Sequence, residues 1–397
     1  MSQRLPRLRM NLDFMPSPVE SHPGLLIRDS YGYSDATLII PPALIQCLQY
    51  LDGEQTELDL RAELVRLTGE LDTRPLEKHL LDSLSAAGFL EDETYERLRD
   101  ERRRAFAEGE IREPTHAGTA YPDDKAEAEE MLRQYMNEAP PPLEGNIIGI
   151  AAPHVSPFGG WETYRAAYSA LRPDLKDRTF VILGTSHYGE PDHFGLTRKR
   201  FATPFGEART DTAIVDKFDG QPAVLMEDYC HAVEHSIEFQ VLYLQYLFGA
   251  DINIVPILCG SLHNGATNDG VQRFFGTLGE IAAKRSDLLW VLGIDMAHMG
   301  RRYGDVITAY ADAGEMLSVA ERDKQRIDRI NAGDAAGFWE LVHENGEDDL
   351  KWCGSSPSYT FLNAVPNAAG ALRGYQQWNI DEQSVVSFGA IAFTDKT

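Results

Sequence analysis

The chain has 397 residues, 43% of them hydrophobic, which is enough for two domains and for a sizeable buried core. Its formal net charge of −25 repels nucleic-acid phosphates and anionic lipid surfaces, so neither is an expected partner. Four cysteines without a CxxC pair form no disulfide framework, and no apolar run approaches the roughly 18 residues of a membrane span.

The N-terminal stretch MSQRLPRLRMNLDF is basic but has no apolar segment, so it does not read as a secretory signal. With reduced thiols, the expected location is the cytoplasm. GLLIRDS and ATLIIPP read as two short strands around the turn YGYSD. Pro41 and Pro42 open a helix over ALIQCLQYL, which stops at Asp52-Gly53. LDLRAELVRLTG is a second helix with Leu58, Leu60, Leu64 and Leu67 at mostly helical spacing, ending at Gly69. PLEKHLLDSLSAAGFL is a third, with Leu76, Leu80, Leu81, Leu84 and Ala87 on one face. These elements make a small α+β domain over 1–95. A charged helical linker over 96–113 follows, in which Arg102, Arg103 and Arg104 read as a solvated helix face.

From residue 114 to 397 the texture changes. NIIGIAAPH, TFVILGTSH, INIVPILCGS, DLLWVLGID and SVVSFGAIAF are short runs apolar on both faces, as in strands covered by helices on both sides. Amphipathic segments alternate with them, among them WETYRAAYSAL, SIEFQVLYLQYLFG and VQRFFGTLGEIAAKR. The alternation predicts a three-layer α/β domain with a central, mostly parallel or mixed sheet.

In open α/β sheets ligands bind beyond the carboxyl ends of the strands. His154 follows the first of these runs and His187 the second. Asp295 follows DLLWVLGI, with His298 three residues on. A single histidine after a strand is commonly a hydrogen-bonded loop residue; three strand ends of this kind together point to a site. Glu234 and His235 of EHSIE precede an apolar helix, where either a site role or simple capping fits. Cys353 lies in KWCGSSPSYTFL ahead of a helix, where a thiolate is favoured, although a small buried loop residue fits as well. Cys47 and Cys259 read as core. GxGxxG, GxxxxGK[ST], GxSxG and HExxH signatures are absent.

The segments HAGTAYP, AAPHVSPFGG, ILGTSHYG, EHSIEFQVLYLQ, IVPILCG, GIDMAHMGRRYGD and WCGSSPSY occur in order across 114–397 and resemble the Memo family. That family is similar in fold to class III extradiol ring-cleaving dioxygenases, which are non-haem Fe(II) enzymes. The resemblance implies a divalent metal, Fe(II) first and Cu or Zn on ligand type, held by His154, His187 and Cys353. It places Asp295, His298, Glu234 and His235 in the pocket, with His298 at the position of the dioxygenase acid/base histidine. Where relatives carry Ser-Trp-Tyr after HAG this chain has Thr-Ala-Tyr, which alters the wall between His116 and Tyr121. After His154, Val155, Ser156 and Pro157 replace the usual Ala-Gly-Tyr. Cysteine in place of the dioxygenase glutamate makes the site softer, and Glu234 or Asp295 remains an alternative carboxylate donor.

HPGLLIRDS, LDGEQT and AAGFL resemble a PqqD-like winged-helix module, a type thought to bind peptides by strand addition. The resemblance further implies radical-SAM and other AmmeMemoRadiSam-system partners. Three functions follow as expectations: a dioxygenase-like metal oxidoreductase, a metal- or peptide-binding adaptor without turnover, and a metal-free hydrolase or lyase using Cys353. Substrate and oligomeric state are not encoded in any motif.

Overall fold

A computed structural model of the chain describes residues 4–143, 145–263, 267–344 and 346–396. The chain divides into two compact units, Met1–Glu108 and Gly109–Thr397.

In the first unit β1 (Asp13–Pro16), β2 (Leu25–Arg28) and β3 (Thr37–Ile40) form an antiparallel sheet in that order. The strand β1 was not expected. Its sequence DFMP has a proline and no alternation of apolar and polar residues, and pairing of Asp13–Pro16 along Leu25–Arg28 makes it a strand. The helix expected from Pro41 and Pro42 is a 3₁₀ helix over Pro42–Tyr50. Then come α1 (Glu57–Thr68), α2 (Arg74–Ala86) and α3 (Glu93–Glu108). At the start of α1 the Asp59 carboxylate accepts from Thr56 N at 2.8 Å, and Gly69 ends the helix at φ 74°. Ile27, Cys47, Leu60, Leu64, Leu84 and Phe89 are fully buried in this unit. The run Arg102–Arg104 lies on the exposed surface of α3, whose last residue, Glu108, ends the first unit.

The second unit runs β4 (Ile111–Arg112), α4 (Lys125–Tyr135), β5 (Ile147–Ala152), α5 (Pro157–Tyr168), β6 (Thr179–Thr185), β7 (Phe194–Leu196), β8 (Arg200–Thr203) and β9 (Gly206–Thr210). It continues with α6 (Thr212–Val215), β10 (Val224–Met226), α7 (Cys230–Val233), α8 (Glu238–Phe248), β11 (Asn253–Cys259), α9 (Asp269–Lys284), β12 (Leu288–Gly293) and β13 (His298–Gly300). It closes with α10 (Glu315–Ala332), α11 (Ala335–Val342), α12 (Ser355–Ala364), β14 (Ala368–Asp381) and β15 (Ser384–Asp395).

Among the described residues these strands form one mixed sheet with the central order β13-β15-β5-β12-β6-β11-β9-β8-β4. The middle pairs β5/β12, β12/β6 and β6/β11 are parallel, and β15 is antiparallel to β5. Alternation along β6 explains the layers: Phe180 and Ile182 pack with Tyr164, Tyr168 and Tyr243 on one face, while Val181 and Leu183 pack with Phe274 and Phe361 on the other. Every residue of β6 is buried, as the two-sided apolar reading requires. Among the described residues no helix is long and apolar enough to cross a membrane.

Candidate metal centre

Because β5, β6 and β12 run parallel, their carboxyl ends lie at one edge of the sheet. His154 is two residues past β5, His187 two past β6 and Asp295 two past β12. The rings of His154 and His187 meet edge to face with centroids 5.0 Å apart. Cys353 reaches them from the segment before α12, its Sγ 3.3 Å from His154 Nε2. Metal-capable atoms of His154, His187 and Cys353 lie within 4.8 Å of one another.

The hydrogen bonds fix which ring nitrogens face the centre. His154 Nδ1 lies 2.9 Å from Gly293 O, and a carbonyl only accepts, so Nδ1 carries the proton and Nε2 keeps its lone pair. His187 Nδ1 donates to Glu234 Oε1 at 2.7 Å, which turns Nε2 toward Cys353. Glu234 Oε2 also accepts from His187 N at 2.7 Å. Glu234 therefore orients His187 with both oxygens, and it is not an N-terminal cap, because the residue preceding α8 is Ile237. Burial disfavours a charged His187 ring, yet Glu234 and Cys353 outweigh it and hold the imidazole well above the usual histidine range. Burial likewise raises the Glu234 carboxyl, but His187 more than offsets this and holds it low.

Burial pushes the Cys353 thiol up, while the His154 and His187 rings more than offset this and bring it down to about 7. Gly354 N donates to Asp295 O at 3.0 Å, and Thr185 Oγ1 donates to Cys353 O at 2.9 Å, so the loop is pinned to both strand ends. Asp295 is buried; its Oδ1 accepts from His154 N at 2.9 Å and its Oδ2 lies 3.6 Å from His154 Nε2. Burial raises its carboxyl to about 6.

His298 Nδ1 lies 2.9 Å from Met296 O and 3.0 Å from Lys351 O, so its proton is on Nδ1. Burial keeps this ring below the usual range despite the opposing Asp295 charge. The ring of His235 stacks on His187 at 5.1 Å, and burial and the neighbouring His187, His154 and His116 hold it well below the usual range, as a neutral imidazole. A cavity of about 520 Å³ reaches Cys353 and is also lined by Leu262, His263, His343, Lys351 and Trp352.

Behind these groups stands a buried cluster to which sequence reasoning gave no role. Glu238 accepts from His116 N at 3.0 Å, from Tyr121 OH and from Arg112 Nη1. Arg112 also donates to Glu234 O at 2.8 Å. Burial raises the Glu238 carboxyl, but the Arg112 guanidinium outweighs it and the net value falls to about 2. The departure noted between His116 and Tyr121 falls on Thr119 and Ala120, in the turn between two residues that serve this carboxylate. An acidic residue opening a largely apolar helix was the available signal.

A family model described as Memo-like protein matches residues 112–392. A MEMO1 family protein of Aquifex aeolicus is 28% identical over 379 residues, covering 93% of this chain and 95% of the relative. A MEMO1 family protein of Pyrococcus furiosus is 31% identical over 242 residues, 59% of this chain and 80% of the relative. A third, of Methanococcoides burtonii, is 31% identical over 263 residues, covering 64% of this chain and 87% of the relative. The chain belongs to the Memo-like family. The Aquifex match is too long to be contained in 112–392, so it extends into the first unit.

Proposed function

We propose that the second unit is a metal-binding, dioxygenase-like oxidoreductase that holds a divalent ion on His154 Nε2, His187 Nε2 and Cys353 Sγ. The observation that carries this reading is the commitment of both Nδ1 atoms. Each donates to an oxygen, so both Nε2 atoms and one acidic thiol converge within 4.8 Å, and an ion would displace the proton that His187 holds. Two imidazoles and a thiolate suit Fe(II), Cu or Zn, and the dioxygenase likeness favours Fe(II). A bound ion would supply Lewis acidity and, for iron or copper, electron transfer.

The chain's own residues supply the proton chemistry. His298 keeps a lone pair on Nε2, and burial keeps the ring neutral near pH 7, so it accepts a proton there. Asp295, at about 6, sits between His154 and His298 and offsets the charge His298 acquires. The cavity beside Cys353 gives a route for substrate.

The test is metal content after anaerobic Fe(II) loading, with oxygen uptake. His154→Ala and Cys353→Ala are expected to stay folded and lose the metal; full retention in both refutes the assignment. A second reading, a metal- or peptide-binding adaptor, is favoured by the first unit, whose sheet presents β1 and β3 as edges for strand addition. Radical-SAM and other AmmeMemoRadiSam-system proteins are the partners proposed for it. Retained metal with no oxygen uptake for any catechol-like substrate supports the adaptor.

A further inference from the structure

Two of the segments that supply the candidate centre lie far apart in sequence. One, 348–353, ends on Cys353; the other, 295–298, carries Asp295 and His298. Both are fastened to a single buried face of α10.

Asp323 and Arg326 lie one turn apart on that face, and both are buried. Asp323 Oδ1 accepts from Trp352 Nε1 at 2.6 Å, so it grips the residue before Cys353. Its Oδ2 accepts from Tyr375 OH at 2.7 Å and from Ser387 Oγ. Ser387 Oγ in turn accepts from Ala297 N at 2.8 Å, and Met296 N donates to Ser387 O at 2.8 Å. The 295–298 segment is thereby held through β15. Arg326 completes the clamp: Nη2 pairs with Asp348 Oδ1 at 2.9 Å, and the guanidinium lies over the Trp352 ring at 5.4 Å. Asp348 Oδ2 accepts from Trp352 N at 2.9 Å.

We propose that Asp323 is a positioning residue that holds the Cys353 segment and the Asp295–His298 segment in register across the candidate metal centre without touching it. Its importance for metal binding rests on the site reading above; its geometry does not. A fully buried carboxylate is costly to place in a core, and burial lifts this one above the usual range. Three neutral donors offset that cost, and they come from β14, from β15 and from the loop ending at Cys353. Removing the acceptor frees both segments together.

The experiment uses the full chain with Asp323→Asn, Trp352→Phe and, as a control, Leu278→Ala on the buried face of α9. Three quantities are read: urea stability, Co(II) affinity with its thiolate charge-transfer band, and the alkylation rate of Cys353 in metal-free protein, followed by mass spectrometry of its peptide. Asp323→Asn is expected to weaken Co(II) binding about tenfold or more, the scale seen for residues that orient ligands. It should also change Cys353 alkylation severalfold. Leu278→Ala loses stability and leaves both site readouts unchanged. Trp352→Phe removes one of the donors and moves both readouts in the same direction by less; it carries the test should Asp323→Asn fail to fold. Site readouts in Asp323→Asn and Trp352→Phe that match Leu278→Ala overturn the proposal. A wild type without Co(II) binding, in which Asp323→Asn still shifts alkylation, refutes the metal reading and supports the positioning role.

Discussion

Replacing Glu234 by glutamine separates orientation from ligation, because it alters no volume and no atom assigned to the metal. Glu234 is 2% exposed and uses its two oxygens on two donors of one residue, His187 N and His187 Nδ1, each at 2.7 Å. Glutamine has one carbonyl oxygen, so its amide nitrogen must confront one of those donors. A charged hydrogen bond lost in a buried place costs roughly 1.5–3 kcal/mol. Release of the His187 ring costs about 10–100-fold in metal affinity, the usual effect of losing an orienting carboxylate. The pH dependence has a definite sign. The His187 pKa is raised above its ordinary 6.5 and the Glu234 pKa lowered below its ordinary 4.5. The pair therefore stabilises the metal-free protein fully between those ordinary values. Its contribution fades in acid through Glu234's lowered pKa, and in base through His187's raised pKa. Competition titration of Zn(II) against a chelator, with urea unfolding of the metal-free chain from pH 4 to pH 9, measures both effects. An affinity equal to that of the unaltered chain, with no stability loss near pH 5.5, refutes the orienting role.

Glu238→Gln removes a carboxyl whose pKa is about 2 in place of an ordinary 4.5, so the native chain gains stability above 4.5 and loses it as the pH falls toward 2. The gain is on the order of 3 kcal/mol, and the variant should show a flatter acid limb in urea unfolding; an unchanged acid limb counts against the Arg112 pairing. Gly354→Ala places a Cβ 2.6 Å from Asp295 O and 2.6 Å from Ile294 Cβ, both on the strand end that must stay put. The variant should lose roughly 1–3 kcal/mol and bind metal more weakly, because Cys353 is displaced with the loop; unchanged unfolding and metal titrations would show that the contact relaxes freely.

The parallel centre of the sheet was legible because its strands are buried on both faces, so β5, β6, β11 and β12 are nearly pure apolar runs. The edges were not. β14 reads AAGALRGYQQWNID, without a sustained apolar run or alternation, and it is a strand because it pairs along β15. The helix α10 buries Asp323 and Arg326 among Met316, Val319, Ile327 and Ile330, so charge interrupts its inward face in the sequence. Each miss has the same cause: the face toward the core carries charge or the pairing partner is remote, and local pattern cannot report either.

The same distinction runs through the candidate centre. His154, His187 and Asp295 each follow an apolar strand, so strand ends alone located them. Cys353 follows no strand, and its place beside His154 comes from a loop tied to Thr185, Asp295 and Asp323's partner Trp352, none of them near it in sequence except Trp352. Resemblance supplied what spacing could not. Neither route could give the protonation pattern. That depends on Gly293 O facing His154 and on Glu234 reaching across 47 residues to His187. Those contacts decide whether two histidines and a cysteine form a ligand set or three hydrogen-bonded loop residues. Had the outward Nδ1 atoms been acceptors with the protons on Nε2, the same three residues at the same strand ends would turn N–H groups rather than lone pairs toward the centre.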